Sequence, residues 1–353
     1  MRVLLSILFF LPLLAIGQSK KTFKIRTLAF YNVENLFDTV NDTLIFDDDR
    51  TPKGKYKWTQ KRYQTKIAHV SKVLSKIGQD VTSTSPDIIG LCEVEKRAVL
   101  DDLIQHPNLN TKDYGVIHLD SPDERGIDVA LLYKKSSFLP DSFKSHRLLL
   151  FNDEGFRDYT RDQLVVSGLL DEEQIYFIIN HWPSRSGGEA RSKPFRKKAA
   201  ELNKKIIDSI RAIDFNSKII SMGDFNDDPK DASFKKVLKT KGKTKQLDSL
   251  SLFNPMEKLF KKGVGSLAYR DKWNLFDQFF FTSNLINDKK LNYSFWKVGV
   301  YSPSYLKTKN GKYKNYPFRT YVGTTYQGGY ADHFPVYLYL IKEAPSNSPQ
   351  RGE

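Results

Sequence analysis

Cysteine is nearly missing from these 353 residues, with Cys92 the only one. A lone thiol cannot close an internal disulfide, so the fold must hold without one. Cys92 sits in an apolar run and reads as a small buried core residue. Long apolar runs are also scarce. Beyond residues 3–16 no segment is apolar enough to span a bilayer, which takes roughly 20 residues, so the mature chain is expected to be soluble, without stable membrane insertion. No internal repeat and no Gly/Ser-rich linker divides the chain. An acidic excess is absent as well: 56 Lys and Arg face 41 Asp and Glu, a net charge of +15. That sign favours polyanionic partners such as nucleic acid, anionic lipid head groups or polyphosphates. The same charge also serves simple solubility, and both readings stand.

Residues 1–17 read as a secretory signal: Arg2, an apolar stretch, then Ala15 and Gly17 as small residues before a cut. Cleavage after Gly17 would remove one positive charge and leave a secreted or periplasmic protein. No Cys follows the stretch, which argues against a bacterial-type lipid anchor; an uncleaved hydrophobic strand or anchor is the alternative. Residues 22–342 are expected to form one domain, and the polar residues 343–353 a disordered tail.

Five short apolar or aromatic segments each meet a cluster of metal-binding and hydrogen-bonding side chains. Four run apolar to polar: Leu28-Ala29-Phe30-Tyr31 into Asn32, Ile88-Ile89-Gly90-Leu91-Cys92 into Glu93, residues 175–179 into Asn180-His181, and residues 219–223 into Asp224-Phe225-Asn226. In the fifth, Ala331-Asp332-His333 precedes Phe334-Pro335-Val336. Runs of this length and composition read as buried strands, and polar groups at several strand ends can converge on one sheet edge. The reversed order makes the last strand antiparallel. Further strands are predicted at 24–31, 114–118, 128–133, 163–170, 174–179 and 275–281. Tyr63, Ile67, Val70, Leu74 and Ile77 are spaced for an amphipathic helix over 58–77. Helices are also predicted at 96–104 and at 191–213, the latter basic and interrupted early by Pro194.

The residue types suit phosphate-ester chemistry, which needs a metal, an activated water and donors for developing anionic oxygens. Glu93 is an oxygen ligand for Mg²⁺, with Mn²⁺ or Ca²⁺ as alternatives. Asp224 can orient water or hold a second metal, and Asn226 hydrogen-bonds without adding charge. His333 would touch phosphate with Asp332 near the metal. Arg185 and Arg191 follow His181 closely enough to approach the phosphate. Asp47-Asp48-Asp49 reads as a solvated acidic turn. Residues 305–321 interleave Lys307, Lys309, Lys312, Lys314 and Arg319 with Tyr313, Tyr316 and Phe318. That composition serves either base stacking or a solvated basic loop.

Tyr31-Asn32-Val33-Glu34-Asn35, Leu91-Cys92-Glu93-Val94, Asn180-His181-Trp182-Pro183-Ser184, Gly223-Asp224-Phe225-Asn226 and Ala331-Asp332-His333-Phe334-Pro335-Val336 resemble, in order, the motifs of the endonuclease/exonuclease/phosphatase superfamily. The resemblance spans Asn32 to His333. It implies an α/β fold of two stacked mixed β-sheets flanked by helices, a four-layer sandwich like that of deoxyribonuclease I. It further implies that Asp277 pairs with His333, that His181 pairs with a carboxylate (Asp128), that Arg161 contacts phosphate, and that Asn32 touches phosphate or a water on the metal. Glu95 stands where deoxyribonuclease I-like sequences carry a basic residue, which sets groove binding of that kind in question. The expectation is a secreted metal-dependent phosphoesterase, first a nuclease on DNA or RNA and by default a monomer. The alternatives are a phosphatase or phosphodiesterase on inositol phosphates or phospholipid head groups, and a catalytically silent binding module.

Overall fold

A computed structural model describes residues 21–286 and 291–344. The predicted signal, its cut after Gly17, and residues 345–353 of the tail lie outside the described residues. Twelve strands build the two main sheets. The first five are β1 (Phe23–Leu36), β2 (Ile88–Val94), β3 (Tyr114–His118), β4 (Asp128–Lys134) and β5 (Phe138–His146). Then come β6 (Gln163–Leu170), β7 (Glu173–His181), β8 (Lys218–Asp224) and β9 (Leu252–Phe253). The last are β10 (Asp277–Thr282), β11 (Ser294–Val300) and β12 (Val336–Glu343). One sheet has the order β11-β12-β1-β2-β4-β3, the other β9-β10-β8-β7-β6-β5.

Each sheet is built around a parallel pair flanked by antiparallel neighbours: β1 with β2, between β12 and β4, and β8 with β7, between β10 and β6. The four parallel strands therefore end at one rim, and β12 starts from it, as its reversed polar–apolar order predicts. Successive side chains on a strand face opposite sides. Leu28 and Phe30 of β1 thus join Ile220 and Met222 of β8, with Cys92, in the core between the sheets. Ala29 and Tyr31 face the other way, toward helices α1 (Gln60–Lys76) and α2 (Arg97–Gln105). The predicted stripe Tyr63, Ile67, Val70 and Leu74 is the buried face of α1. On the far side, α3 (Glu189–Ile213) packs Ala199, Ala200, Ile206 and Ile207 against Ile178, Ile219 and Phe280. This is the expected four-layer sandwich.

Several details depart from the sequence reading. α3 is not interrupted: Pro194 lies inside it, in its second turn, and buried Arg196, two residues on, anchors the same stretch to Asp227 at 2.6 Å. β5 was not anticipated, because it is an edge strand with a mostly exposed, polar sequence and a register shift beside Pro140. β11 was missed too. β12 reaches Glu343, which pairs with Phe23, so ordered structure extends to the first residue of the segment expected as tail.

Candidate active site

Three polar groups form one row across the second sheet. Asp224 of β8 is in register with His181 of β7 on one side and Asp277 of β10 on the other. Neighbouring strands lie about 4.8 Å apart, so register alone brings the three side chains together. Gly223 permits the approach: a Cβ there would fall 2.5 Å from the Asn180 carbonyl oxygen. The first sheet contributes Asn32, in register with Cys92, and Glu93 just beyond. Pairing of β2 with β4 skips Glu93, whose φ of 62° is left-handed. Such an extra residue re-aims its side chain, here onto the rim.

Asp224 Oδ2 is the hub. Asn32 Nδ2 donates to it at 3.0 Å and lies 3.4 Å from Glu93 Oε1. His181 Nε2 is 3.8 Å from the same Asp224 oxygen and 3.9 Å from Glu93 Oε1. His333 Nε2 approaches it to 3.9 Å, while His333 Nδ1 is 2.6 Å from Asp277 Oδ2. The expected Asp277–His333 pair is therefore present in the geometry. Asn226, also left-handed, donates its backbone N–H to Asp224 Oδ1 at 3.0 Å and its amide to the Trp182 carbonyl at 3.0 Å. It braces the loops carrying Asp224 and His181. Asp332 stands at the side of the cluster, bound to Arg319 at 2.8 Å.

The two histidines are driven in opposite directions. Burial pulls the His333 proton affinity down, but the carboxylates of Asp277 and Asp224 outweigh it and hold the ring well above the ordinary value, as an imidazolium. His181 is buried, and Arg161, Arg125 and His333 add positive potential, so it falls well below the ordinary value and stays neutral. Burial pushes the Asp224 carboxyl up to about 6; His333 opposes that rise and Asp277 adds to it. Burial also raises the Cys92 thiol well above its usual range, so the nearby sulfur stays protonated and is no partner for a hard cation.

Some expected members are elsewhere. Asp128 does not meet His181: its carboxylate takes His118 Nε2 at 3.0 Å and the Ser121 backbone N–H at 2.9 Å. The β3–β4 register sets His118 opposite Ala130 and so diagonal to Asp128, and His181 Nδ1 has no hydrogen-bond partner among the described residues. Arg161 is buried, donating to Asp123 at 2.9 Å and to the Trp182 carbonyl at 2.8 Å, so it supports the His181 loop from behind. Arg185 bonds Asp231 at 2.6 Å, Glu189 at 3.0 Å and the Asn226 carbonyl at 2.8 Å, with its guanidinium over Phe276. It is a strap between loops. Arg191 is exposed near the start of α3. Glu95 is buried and caps the Asp38 N–H at 2.7 Å, which makes it a loop anchor.

Three participants had no role in the sequence reading. Half-exposed Arg125 supplies positive potential to His181. Glu34 lies buried within the first motif, accepts the Thr320 N–H at 2.6 Å and stands 3.6 Å from Arg319. Fully buried Lys66, 4.0 Å from Glu34, donates to Thr320 Oγ1 at 2.7 Å. The signal for Glu34 was its place two residues after Asn32; Lys66 gave none, being one of many lysines on a helix.

A rim of hard oxygen donors and histidines between two mixed sheets defines the class of metal-dependent phosphoester hydrolases with the deoxyribonuclease I-like fold. The chain belongs to the endonuclease/exonuclease/phosphatase family, whose model matches residues 27–342. No curated protein sequence matches it. Among solved structures it is similar to an endonuclease/exonuclease/phosphatase family protein from Bacteroides thetaiotaomicron, at 18% identity and TM-score 0.55, covering 92% of this chain and 97% of that one. A mannosyl-6-phosphatase of the same organism gives 17% identity and TM-score 0.53 over 89% and 99% of the two chains. D. rerio TDP2 complexed with a single-strand DNA product gives 13% and 0.52 over 90% and 98%. At these identities the structural likeness establishes the fold alone.

Proposed function

We propose that this protein is an exported nuclease, hydrolysing phosphodiester bonds of nucleic acid with a divalent cation, Mg²⁺ first. The observation that carries the hydrolytic reading is the pair of buried histidines with opposite charge states on either side of one Asp224 oxygen. The donor set fits a hard cation. Glu93 Oε1 faces the hub while Glu93 Oε2 is fixed by the Asn35 N–H at 3.0 Å, and one or two carboxylates are what Mg²⁺ needs when waters and phosphate complete its shell. Asn32 turns Oδ1 to the Glu34 N–H at 2.9 Å, so in this arrangement it spans Glu93 and Asp224 through its amide nitrogen. When bound, the cation neutralises phosphate charge and favours ionisation of water.

The chain supplies the rest. His333, charged and clamped by Asp277, presents Nε2–H to a phosphate oxygen. Asp224, with its carboxyl near 6, orients the attacking water and takes its proton near neutral pH. Neutral His181 can donate a ring N–H to the same phosphate without adding charge to the site. Nucleic acid as substrate is supported by the net charge of +15 and by the aromatic–cationic stretch beside the site. Export rests on residues 1–17, and intact mass of the exported protein should show their loss; a full-length chain in the membrane fraction would overturn it. Purified protein with Mg²⁺, Mn²⁺ or Ca²⁺ should cut plasmid or RNA at low salt. Release of phosphate from inositol or sugar phosphates without any nucleic-acid cleavage would replace the nuclease with a small-ester phosphatase.

A further inference from the structure

Beside the catalytic rim lies a cavity of about 870 Å³, within the roughly 300–1,000 Å³ of small-molecule sites. Its walls come mainly from two segments remote in sequence: residues 267–271, the first strand and turn of a hairpin that Lys272–Asn274 completes, and the loop at 308–319. Asp332 and Arg319 line its inner side, so the cavity opens onto the residue next to His333. The walls are joined to each other and to the catalytic strand. Tyr316 Oη donates to Asp271 Oδ1 at 2.6 Å and accepts the Asp271 N–H at 2.8 Å. Trp273 lies 5.8 Å from Tyr316 and stacks on Phe334, the residue after His333, at 6.1 Å between centroids. The recess is thus tied to the segment that carries His333.

Its chemistry is aromatic faces among unpaired cations. Tyr269 is 62% and Tyr313 41% exposed, although Tyr313 also leans on Tyr316 at 5.7 Å between centroids. Arg270 lies 5.2 Å from the Tyr269 ring and Lys312 5.9 Å from that of Tyr313. Among the described residues no carboxylate pairs with either cation, whereas Arg319 is held by Asp332 and Asp271 by Tyr316. Rings take the face of a flat group, and open cations take the phosphate it hangs from. Bases inside a duplex hide their faces against one another; an unpaired base exposes both.

Resting on the nuclease reading, we propose that this cavity holds the unpaired base of the nucleotide adjoining the scissile phosphate, making the enzyme selective for single-stranded substrate. The test uses the full-length protein with Mg²⁺ on end-labelled oligonucleotides: one single-stranded, one annealed to its complement, and a set with one abasic residue stepped along the strand. The single strand should be cut faster than the duplex. An abasic residue beside the cleaved bond should lower kcat/KM by about 5- to 150-fold, the range found when one base stack is removed. Tyr313→Ala should cost a similar factor on the intact strand, and its combination with the abasic residue no more than either alone. Tyr313→Phe, which keeps the ring, should retain the rate, separating lost stacking from misfolding. Equal rates on intact, abasic and duplex substrates overturn the base site and leave the nuclease standing. Cleavage of no oligonucleotide, with hydrolysis of a sugar phosphate, overturns both, because the recess then takes a sugar.

Discussion

The two ends of the sandwich treat charge in opposite ways. At the end where β1, β7 and β8 begin, Arg26 bonds Asp171 at 2.6 Å and Asp87 at 2.9 Å, and Tyr293 donates to Asp171 at 2.5 Å. Lys218 and Lys342 both reach Glu173, at 2.6 and 3.5 Å. Asp171 lies in the β6–β7 turn and Glu173 opens β7, whereas Arg26 and Lys342 belong to the other sheet, so the Arg26–Asp171 and Lys342–Glu173 pairs fasten the layers together. At the opposite end Glu93, Asp224 and Asp277 converge, and among the described residues no Lys or Arg lies within ion-pair distance of them. Only histidines approach. One end neutralises its acids with Lys and Arg; the other shares the His333 imidazolium between Asp277 and Asp224 and leaves Glu93 to a cation from outside. Charged groups of similar burial thus serve cohesion where matched and chemistry where unmatched.

The contrast is tested most severely at Glu93. Glu93→Gln keeps the shape and removes the charge, so turnover at limiting Mg²⁺ should fall on the order of 10³-fold, the several kcal/mol a bound cation contributes. The denaturation midpoint in metal-free buffer should hold; a lower midpoint would mean that this acid is structural after all. Next come His333→Ala and Asp277→Asn, each expected to lower kcat by about 10² to 10⁴-fold. The double variant should be little worse than the worse single one, because either change disables the same clamp. Strict additivity would dissolve the pair.

At the far end the effect should move from rate to stability. Asp171→Ala leaves Arg26 with Asp87 alone and should cost about 1.5 to 3 kcal/mol in urea unfolding, the worth of hydrogen bonds to a charged group, with kcat unchanged. The pH dependences should have opposite signs. Burial tends to raise the Asp171 carboxyl, but Arg26, Lys24 and Tyr293 prevail and hold it well below the usual range. Its contribution is thus present above the unfolded value of about 3.9 and lost as pH falls toward the folded one. Asp224, raised to about 6, binds its proton more tightly folded than unfolded. Stability should therefore decline from about pH 4 to pH 6 on its account, and Asp224→Asn should flatten that part of the metal-free profile. The smallest effect belongs to the surface. Replacing Lys307, Lys309, Lys312 and Lys314 with Ser should flatten the slope of log affinity against log salt by up to about 0.7 to 0.9 per lost phosphate contact, while hydrolysis of a small soluble diester stays the same.

Strand ends carried most of what the sequence made legible. Asn32, Glu93, His181 and Asp224 each follow a short apolar run, and the sheets deliver all four to one hub; Asp277 and His333 were reached through family resemblance and meet at hydrogen-bond distance. What stayed hidden is set by partners remote in the chain. Arg161 and Arg185 show their charge in the sequence, but not that Asp123 and Asp231 engage them. Asp128 opens a strand as expected, yet the β3–β4 register brings His118 to it. The segment at 305–321 was readable as cations among rings; that a hairpin 40 residues upstream meets it was not, since that pairing rests on tertiary contacts of Asp271 and Trp273 with Tyr316.

That pairing has a thermal consequence. His181, Asp224 and Asp277 are spaced by the ladder of a buried central sheet, which opens only when the whole molecule does, whereas the cavity walls are a short hairpin and a loop held together by a few contacts at the surface. Local openings begin in such peripheral units. On warming, therefore, the enzyme should first become indiscriminate and only later inactive: the preference among substrates decays at temperatures where the hydrolytic step still runs.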